Sequence, residues 1–145
     1  MDKLDALIAK VTELQASIIE TIIDAIRENE ALILDMNTQD QLYEKGIYRD
    51  GEKLDGYSPF TIHIKKQKGQ PTNRTTLRDT GEFHESFYIE YTGDGFEIKA
   101  SDPKTEELKE HWGVEIMGLS DENLDELTKV YVADKINEHF RNSLL

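Results

Sequence analysis

The sequence predicts an α+β domain with a long N-terminal helix, a small antiparallel sheet including a hairpin at about 86–101, and a C-terminal helix. Three patterns carry that expectation. Apolar residues recur at three- and four-residue steps from Leu4 to Ala25, with no proline or glycine to interrupt them. Phe87, Ile89 and Tyr91 alternate with polar neighbours, and Phe96, Ile98 and Ala100 repeat the alternation beyond a turn. Ser120, followed by Asp121 and Glu122, opens a second amphipathic helix. A length of 145 residues fits one domain with a real core, so 1–145 is expected to be a single unit. Within it, about 57–80 is expected to form a basic loop or short helix.

Residues 3–29 hold the clearest helix. Leu4, Leu7, Val11, Leu14, Ile18, Ile22 and Ala25 form its stripe, widened by Ile8, Ile19, Ile23 and Ile26. The stripe is expected to pack against the protein's own sheet, with a helix from another subunit as the alternative. Ala31–Leu34 reads as the end of that helix or as a brief strand. In "NTQDQLYEKG", Thr38 and Gln41 have capping-box spacing and Gly46 is a stop, which predicts a helix of one to two turns. Residues 49–59 are rich in turn formers. Residues 60–69 read two ways. Phe60, Ile62 and Ile64 alternate as in a strand, yet Ser58-Pro59 starts and Lys65, Lys66, Lys68 and Gly69 end a helix, which is favoured. The hairpin is expected to turn at Asp94-Gly95 as type I′, setting Glu90 opposite Lys99. A short helix at 104–112 stops at Gly113. Leu124, Leu127, Tyr131, Ile136 and Phe140 form the apolar side of the last helix.

Charge and composition narrow the function. The formal charge of −13 opposes wholesale wrapping of nucleic acid. The chain has no cysteine, so disulfides, thiolate zinc sites and cysteine nucleophiles are excluded. "MDKLDALIAKVTELQ" places acids inside its apolar pattern and reads as neither a signal peptide nor a membrane span, which points to the cytoplasm. Residues 61–80 run against the overall charge. Lys65, Lys66, Lys68, Arg74 and Arg78 face one acid, Asp79, for a local net of +4. Such a run is either a solvated loop, a surface that docks on an acidic face of a neighbouring copy, or a patch that touches passing DNA.

"LRDTGEFHESF", residues 77–87, reads as architecture. Thr80 can cap the amide of Phe83, Gly81 accepts an unusual backbone angle, and Phe83 and Phe87 stand one helical turn apart. The arrangement Leu77-x-x-Thr80-Gly81-x-Phe83-x-x-Ser86-Phe87 resembles the "L-x-x-T-G-x-L-x-x-S-I" signature of small tailed-phage virion-morphogenesis proteins. These are the connector, neck and tail-completion subunits that form rings between capsid and tail. With the preceding "YSPFTIHIKKQKGQP" the stretch is similar to structural proteins of Bacteroides-type and crAss-like phages. The likeness covers roughly residues 57–128, and Phe83 and Phe87 stand where leucine and isoleucine are commoner. It implies a small antiparallel sheet flanked by helices and a non-enzymatic role in a virion assembled in the host cytoplasm. The partners it implies are copies of the chain in a ring and other virion proteins such as portal, adaptor or tail subunits, with no membrane.

Chemistry-bearing patterns are sparse. His63, His84, His111 and His139 do not pair at metal-ligand spacing, and no P-loop, dinucleotide fingerprint or nucleophile elbow occurs. No cofactor or metal is expected. The thirty acids are too many for any one pair to single out a glycosidase. Trp112 reads as a core or interface anchor. The expected function is therefore a ring-forming connector, neck or tail-barrel subunit. A small acid-catalysed glycan hydrolase and an acidic binding or inhibitor module are the alternatives.

Overall fold

The helix that opens the chain, α1 (Lys3–Glu28), starts where Asp2 accepts the Asp5 N–H at 2.9 Å and ends at Asn29, whose side chain donates to the Ala25 carbonyl. The computed structural model describes residues 2–93 and 95–144. They build an α+β chain, mostly helical, with one two-stranded antiparallel sheet. Its residues form two compact units, Met1–Glu30 with Asp125–Leu145, and Ala31–Leu124.

In the first unit α1 packs on a π-helical segment, Leu127–Val132, and on α7 (Ala133–Leu144). Thr21, Ala25, Ile26 and Leu127 are buried there. Small residues at 21 and 25 let the helices approach closely. Ser17 Oγ meets His139 Nε2 at 2.8 Å, and Lys135 pairs with Glu28 at 2.8 Å. The α1 stripe therefore finds its cover in helices of its own unit, where the sequence predicts a sheet. The cover is partial, for Leu4, Leu7, Ile8, Val11, Leu14 and Ile19 are exposed.

The second unit begins within α2 (Glu30–Asp35), so Ala31–Leu34 is helical. It runs on as π-helical turns over Met36–Lys45, without the fresh start at Thr38 that its spacing with Gln41 suggests. Thr38 instead returns its hydroxyl to the Leu34 carbonyl at 2.9 Å, and Gln41 turns fully inward. The reason lies in residues 116–120, the link from a 3-10 turn to the helix that follows, where the Ile116 and Gly118 carbonyls and the Gly118 and Ser120 N–H groups are met by side chains. Asn37 donates to the Ile116 carbonyl at 3.0 Å and accepts the Gly118 N–H at 2.7 Å. Gln41 donates to the Gly118 carbonyl at 2.9 Å and accepts the Ser120 N–H at 2.8 Å. Asn123 closes the network by donating to Gln41 Oε1 at 2.9 Å. Buried backbone polar groups need partners; Asn37 and Gln41 supply them to this segment, and Asn123 braces Gln41.

Gly46 ends the π-helical turns with φ +62°, and a Cβ there would lie 2.9 Å from the Thr75 carbonyl oxygen. Residues 59–67 resolve as a helix, α3 (Pro59–Gln67), because Ser58 Oγ accepts the Thr61 N–H and Pro59 is at home in the first turn. After the single turn α4 (Glu82–Glu85) come β1 (Phe87–Tyr91) and β2 (Phe96–Ala100). Next are α5 (Thr105–Trp112), stopped at Gly113, a 3-10 turn at Val114–Ile116, and α6 (Asp121–Glu126). Ser120 caps α6 by accepting the Asn123 N–H.

The hairpin register differs from the sequence expectation. Glu90 faces Glu97, and Lys99 faces Tyr88. Four residues separate the strands, with the Thr92 N–H donating to the Gly95 carbonyl, so the connection is longer than a two-residue I′ turn. Asp94 lies outside the described residues. Two like charges directly opposite are unfavourable, and Lys99 offsets them by reaching Glu90 diagonally at 2.7 Å, with Glu97 at 3.9 Å. The inner face of the sheet joins a core of Leu42, Leu54, Phe83, Phe87, Ile116 and Met117, against which Ile98, Leu108 and Trp112 pack.

Candidate functional site

The conspicuous features of the sequence, the basic run and the Thr-Gly signature, meet in the second unit. Four of the five cations are engaged within the fold. Lys65 is buried on α3, where its ammonium donates to the Arg78 carbonyl at 2.9 Å and lies 5.2 Å from the Tyr57 ring centre. Its stem lies along apolar surface while the charge finds a carbonyl and a ring face. Lys68 pairs with Asp79 at 2.7 Å, and Gln70 donates to the Asp79 carbonyl at 2.9 Å. The Lys68 hydrogen bond, followed by that from Gln70, holds the Asp79 carboxyl below its ordinary range. Arg74 donates to the Tyr43 carbonyl at 2.6 Å, and the Arg74 and Arg78 guanidinium groups lie 5.5 and 4.9 Å from the Tyr43 ring centre. Lys66 is exposed. The +4 run is thus largely a clasp that ties the loop after α3 to α3 itself and to the π-helical turns.

That clasp holds the signature in place. Leu77, packed against the core, has φ +54°, alone among described non-glycine residues in being positive. Thr75 and Thr76 are fully buried beside it; the Thr76 N–H donates to Tyr57 Oη at 2.9 Å and Thr75 Oγ1 to the Asp55 carbonyl. Gly81 has φ +93° and occupies the N-cap of α4. Thr80 Oγ1 accepts from Glu82 N–H, at 3.4 Å, where the sequence suggests Phe83. The left-handed Gly81 turns the chain so that the amide one residue earlier faces the hydroxyl. Phe83 and Phe87 are buried edge to face, 5.0 Å between ring centres. Ser86 donates its hydroxyl to the Phe83 carbonyl at 2.8 Å, and its backbone carbonyl accepts the Ser101 N–H at 3.1 Å, joining the turn to the end of β2.

A cavity of about 300 Å³ opens between α3, the signature turn and α5, lined among others by Tyr57, Lys65, Leu77, Arg78, Phe83 and Trp112. His84 lies beside the same turn, with Nε2 3.0 Å from the Thr76 carbonyl, and burial pushes its imidazole down to about 4. A ring with that pKa is neutral at physiological pH and donates to Thr76 through Nε2. Among the described residues no group of three or more His, Asp or Glu side chains gathers as a metal site, and no helix is long and apolar enough to cross a membrane.

Sequence reasoning missed Tyr43, the platform for two arginines, which nothing local marks. It favoured the protein's own sheet as the cover of α1 and held a helix from another subunit only as the alternative, whereas part of that face is open. Every residue from 2 to 16 is exposed, including Leu4 at 62% and Leu7 at 59%. The signal was present in the strict three-four spacing of that stripe; the spacing alone does not say what covers it. In comparisons with known protein families, curated proteins and solved structures, nothing matches the chain.

Proposed function

We propose that the chain is a non-catalytic virion subunit, a ring-forming connector, neck or tail-barrel component that joins capsid portal and tail. The observation that carries this reading is α1, which leaves five large apolar residues between 4 and 14 exposed, each about half or more. A chain of formal charge −13 that keeps such a stripe open is suited to completion by neighbours. The resemblance of Leu77, Thr80, Gly81, Phe83, Ser86 and Phe87 to the virion-morphogenesis signature supports the same reading. So does the build of that turn, in which each named side chain packs, caps or turns the chain. Lys66, Lys68 and Arg78 keep exposure enough to meet an acidic face of a portal, a tail subunit or another copy, or passing DNA, while Lys65 and Arg74 hold the clasp.

The experiment is to purify virions produced from the genome that encodes the chain and to label them with antibody against it. Label at the capsid–tail junction is expected. Virions that lack the chain would overturn the proposal.

A further inference from the structure

The open face of α1 has a sharper reading than a generic apolar patch. Leu4, Val11, Ile18 and Ala25 fall at one seam position of a seven-residue repeat, and Leu7, Leu14 and Thr21 at the other. The lower part of this seam, at Thr21 and Ala25, is buried by the helices of the first unit. Above the Ser17–His139 contact the seam is bare back to residue 2. We propose that residues 4–18 of α1 pair in parallel with the same turns of a second copy, as a two-stranded coiled coil.

Residue type points to that occupant. A β-branched residue at the first seam position with leucine at the second favours two parallel strands, and here Val11 and Ile18 alternate with Leu7 and Leu14. Charge placement points the same way. The positions flanking the seam hold Lys3 and Lys10 on one side and Ile8 and Gln15 on the other. In a parallel pair each lysine meets the partner's isoleucine or glutamine, and the lysine stem can cover Ile8. An antiparallel pair would set lysine against lysine. The acids Asp5, Glu13 and Glu20 fall on the outer side of the helix, so the seam avoids the strong negative charge that otherwise keeps copies apart. Just over two heptads make a short seam, which predicts reversible, concentration-dependent pairing.

The chain has no cysteine, so single cysteines can report the geometry. Mild oxidation of Leu7→Cys should give a disulfide-linked dimer in high yield, whereas Asp5→Cys, on the outer face, should give little. Sedimentation velocity from about 1 to about 100 µM should show a monomer–dimer equilibrium, shifted to dimer as salt rises and net repulsion is screened. Val11→Glu should abolish that equilibrium, with Trp112 fluorescence unchanged to show that the second unit stays folded. A chain monomeric throughout this range, or a dimer that Val11→Glu leaves intact, would overturn the proposal. So would disulfides that form only between mixed Leu4→Cys and Leu14→Cys chains, the antiparallel signature. The inference requires self-association but no virion. Loss of pairing would leave the junction label untouched, and absence from virions would leave the pairing standing.

Discussion

Replacing Gln41 with leucine tests whether the amide network holds residues 116–120 in place. Gln41 is fully buried, and leucine has similar bulk. The change removes the donor to the Gly118 carbonyl and the acceptor shared by Ser120 N–H and Asn123 Nδ2. Asn123 keeps the Met36 carbonyl at 3.3 Å and Asp40 Oδ2 at 3.0 Å, so it is not stranded. The two backbone groups are stranded, at about 1–3 kcal/mol each. Burying a leucine in place of an amide returns part of this, roughly 1 kcal/mol. The expected net loss is about 1–5 kcal/mol, near 3 at the centre. Trp112 is the only tryptophan and packs against the core of the same unit, so its fluorescence follows urea unfolding of that unit. With a urea dependence of about 1–3 kcal/mol per molar, the midpoint should fall by roughly 1–2 M. Gln39→Leu, on the exposed side of the same turns, should stay within about 0.5 kcal/mol of wild type. A Gln41→Leu midpoint matching wild type at unchanged slope would show that the amides do not hold the 116–120 segment.

Gly81→Val should destabilise the second unit by about 1–3 kcal/mol, through its φ of +93° and not through crowding, since the nearest atom to a new Cβ is Glu85 Oε1 at 3.6 Å; an unchanged melting temperature would refute the strain argument. Lys65→Ser should lose about 1–3 kcal/mol by leaving the Arg78 carbonyl only the long contact from Thr76 Oγ1 and baring the Tyr57 ring, while Lys66→Ser should fall within about 0.5 kcal/mol of wild type; equal effects in thermal melts would mean the cations are interchangeable. His84 titrates near 4 in the fold against an ordinary 6.5, so the unfolded chain takes up its proton first as pH falls. Its contribution is complete above pH 6.5 and declines between 6.5 and about 4 by roughly 3 kcal/mol. Urea titrations across that window should therefore show a shallower pH dependence for His84→Gln, and identical slopes would place the ring in water.

The sequence announced helices where a local signal is sufficient. Asp2, Ser58 and Ser120 cap the helices they precede because a side-chain oxygen needs only its own next turn to find an N–H. Thr38 carries the same signal and does not act on it, because Asn37 and Gln41 are held in helical turns by a segment some eighty residues later. No local rule sees that pull. The hairpin shows a different limit. Shifting one strand by two residues keeps every side chain on its face, so alternation cannot choose between Glu90 facing Lys99 and Glu90 facing Glu97. The turn length decides, and a long side chain such as Lys99 reaches Glu90 in either register. The charge of 61–80 was likewise legible as a sum and not as a set of contacts. Whether Lys65 and Arg74 face water or Tyr57 and Tyr43 depends on rings brought near by folding.

The two halves of the α1 stripe differ in a way that sorts their partners. Where the helix meets its own unit, the seam residues are Thr21 and Ala25, small enough for close approach over a few turns. Where it stands free, they are Leu4, Leu7, Val11 and Leu14, side chains that fill space at a larger helix separation. A free helix of fewer than about 15 residues is marginal in water, chiefly because its first turn is hard to nucleate. Here nucleation is already done by the buried turns below, so the overhang continues an existing helix and frays only from Asp2. Its large apolar residues add little to the helix in the isolated chain, since each stays about half exposed and gains only small contacts with its i+3 and i+4 neighbours. They gain a role only when a second surface covers them. Small residues below and large ones above thus fit one continuous helix that closes on its own chain at one end and, under the proposed pairing, on a second copy at the other.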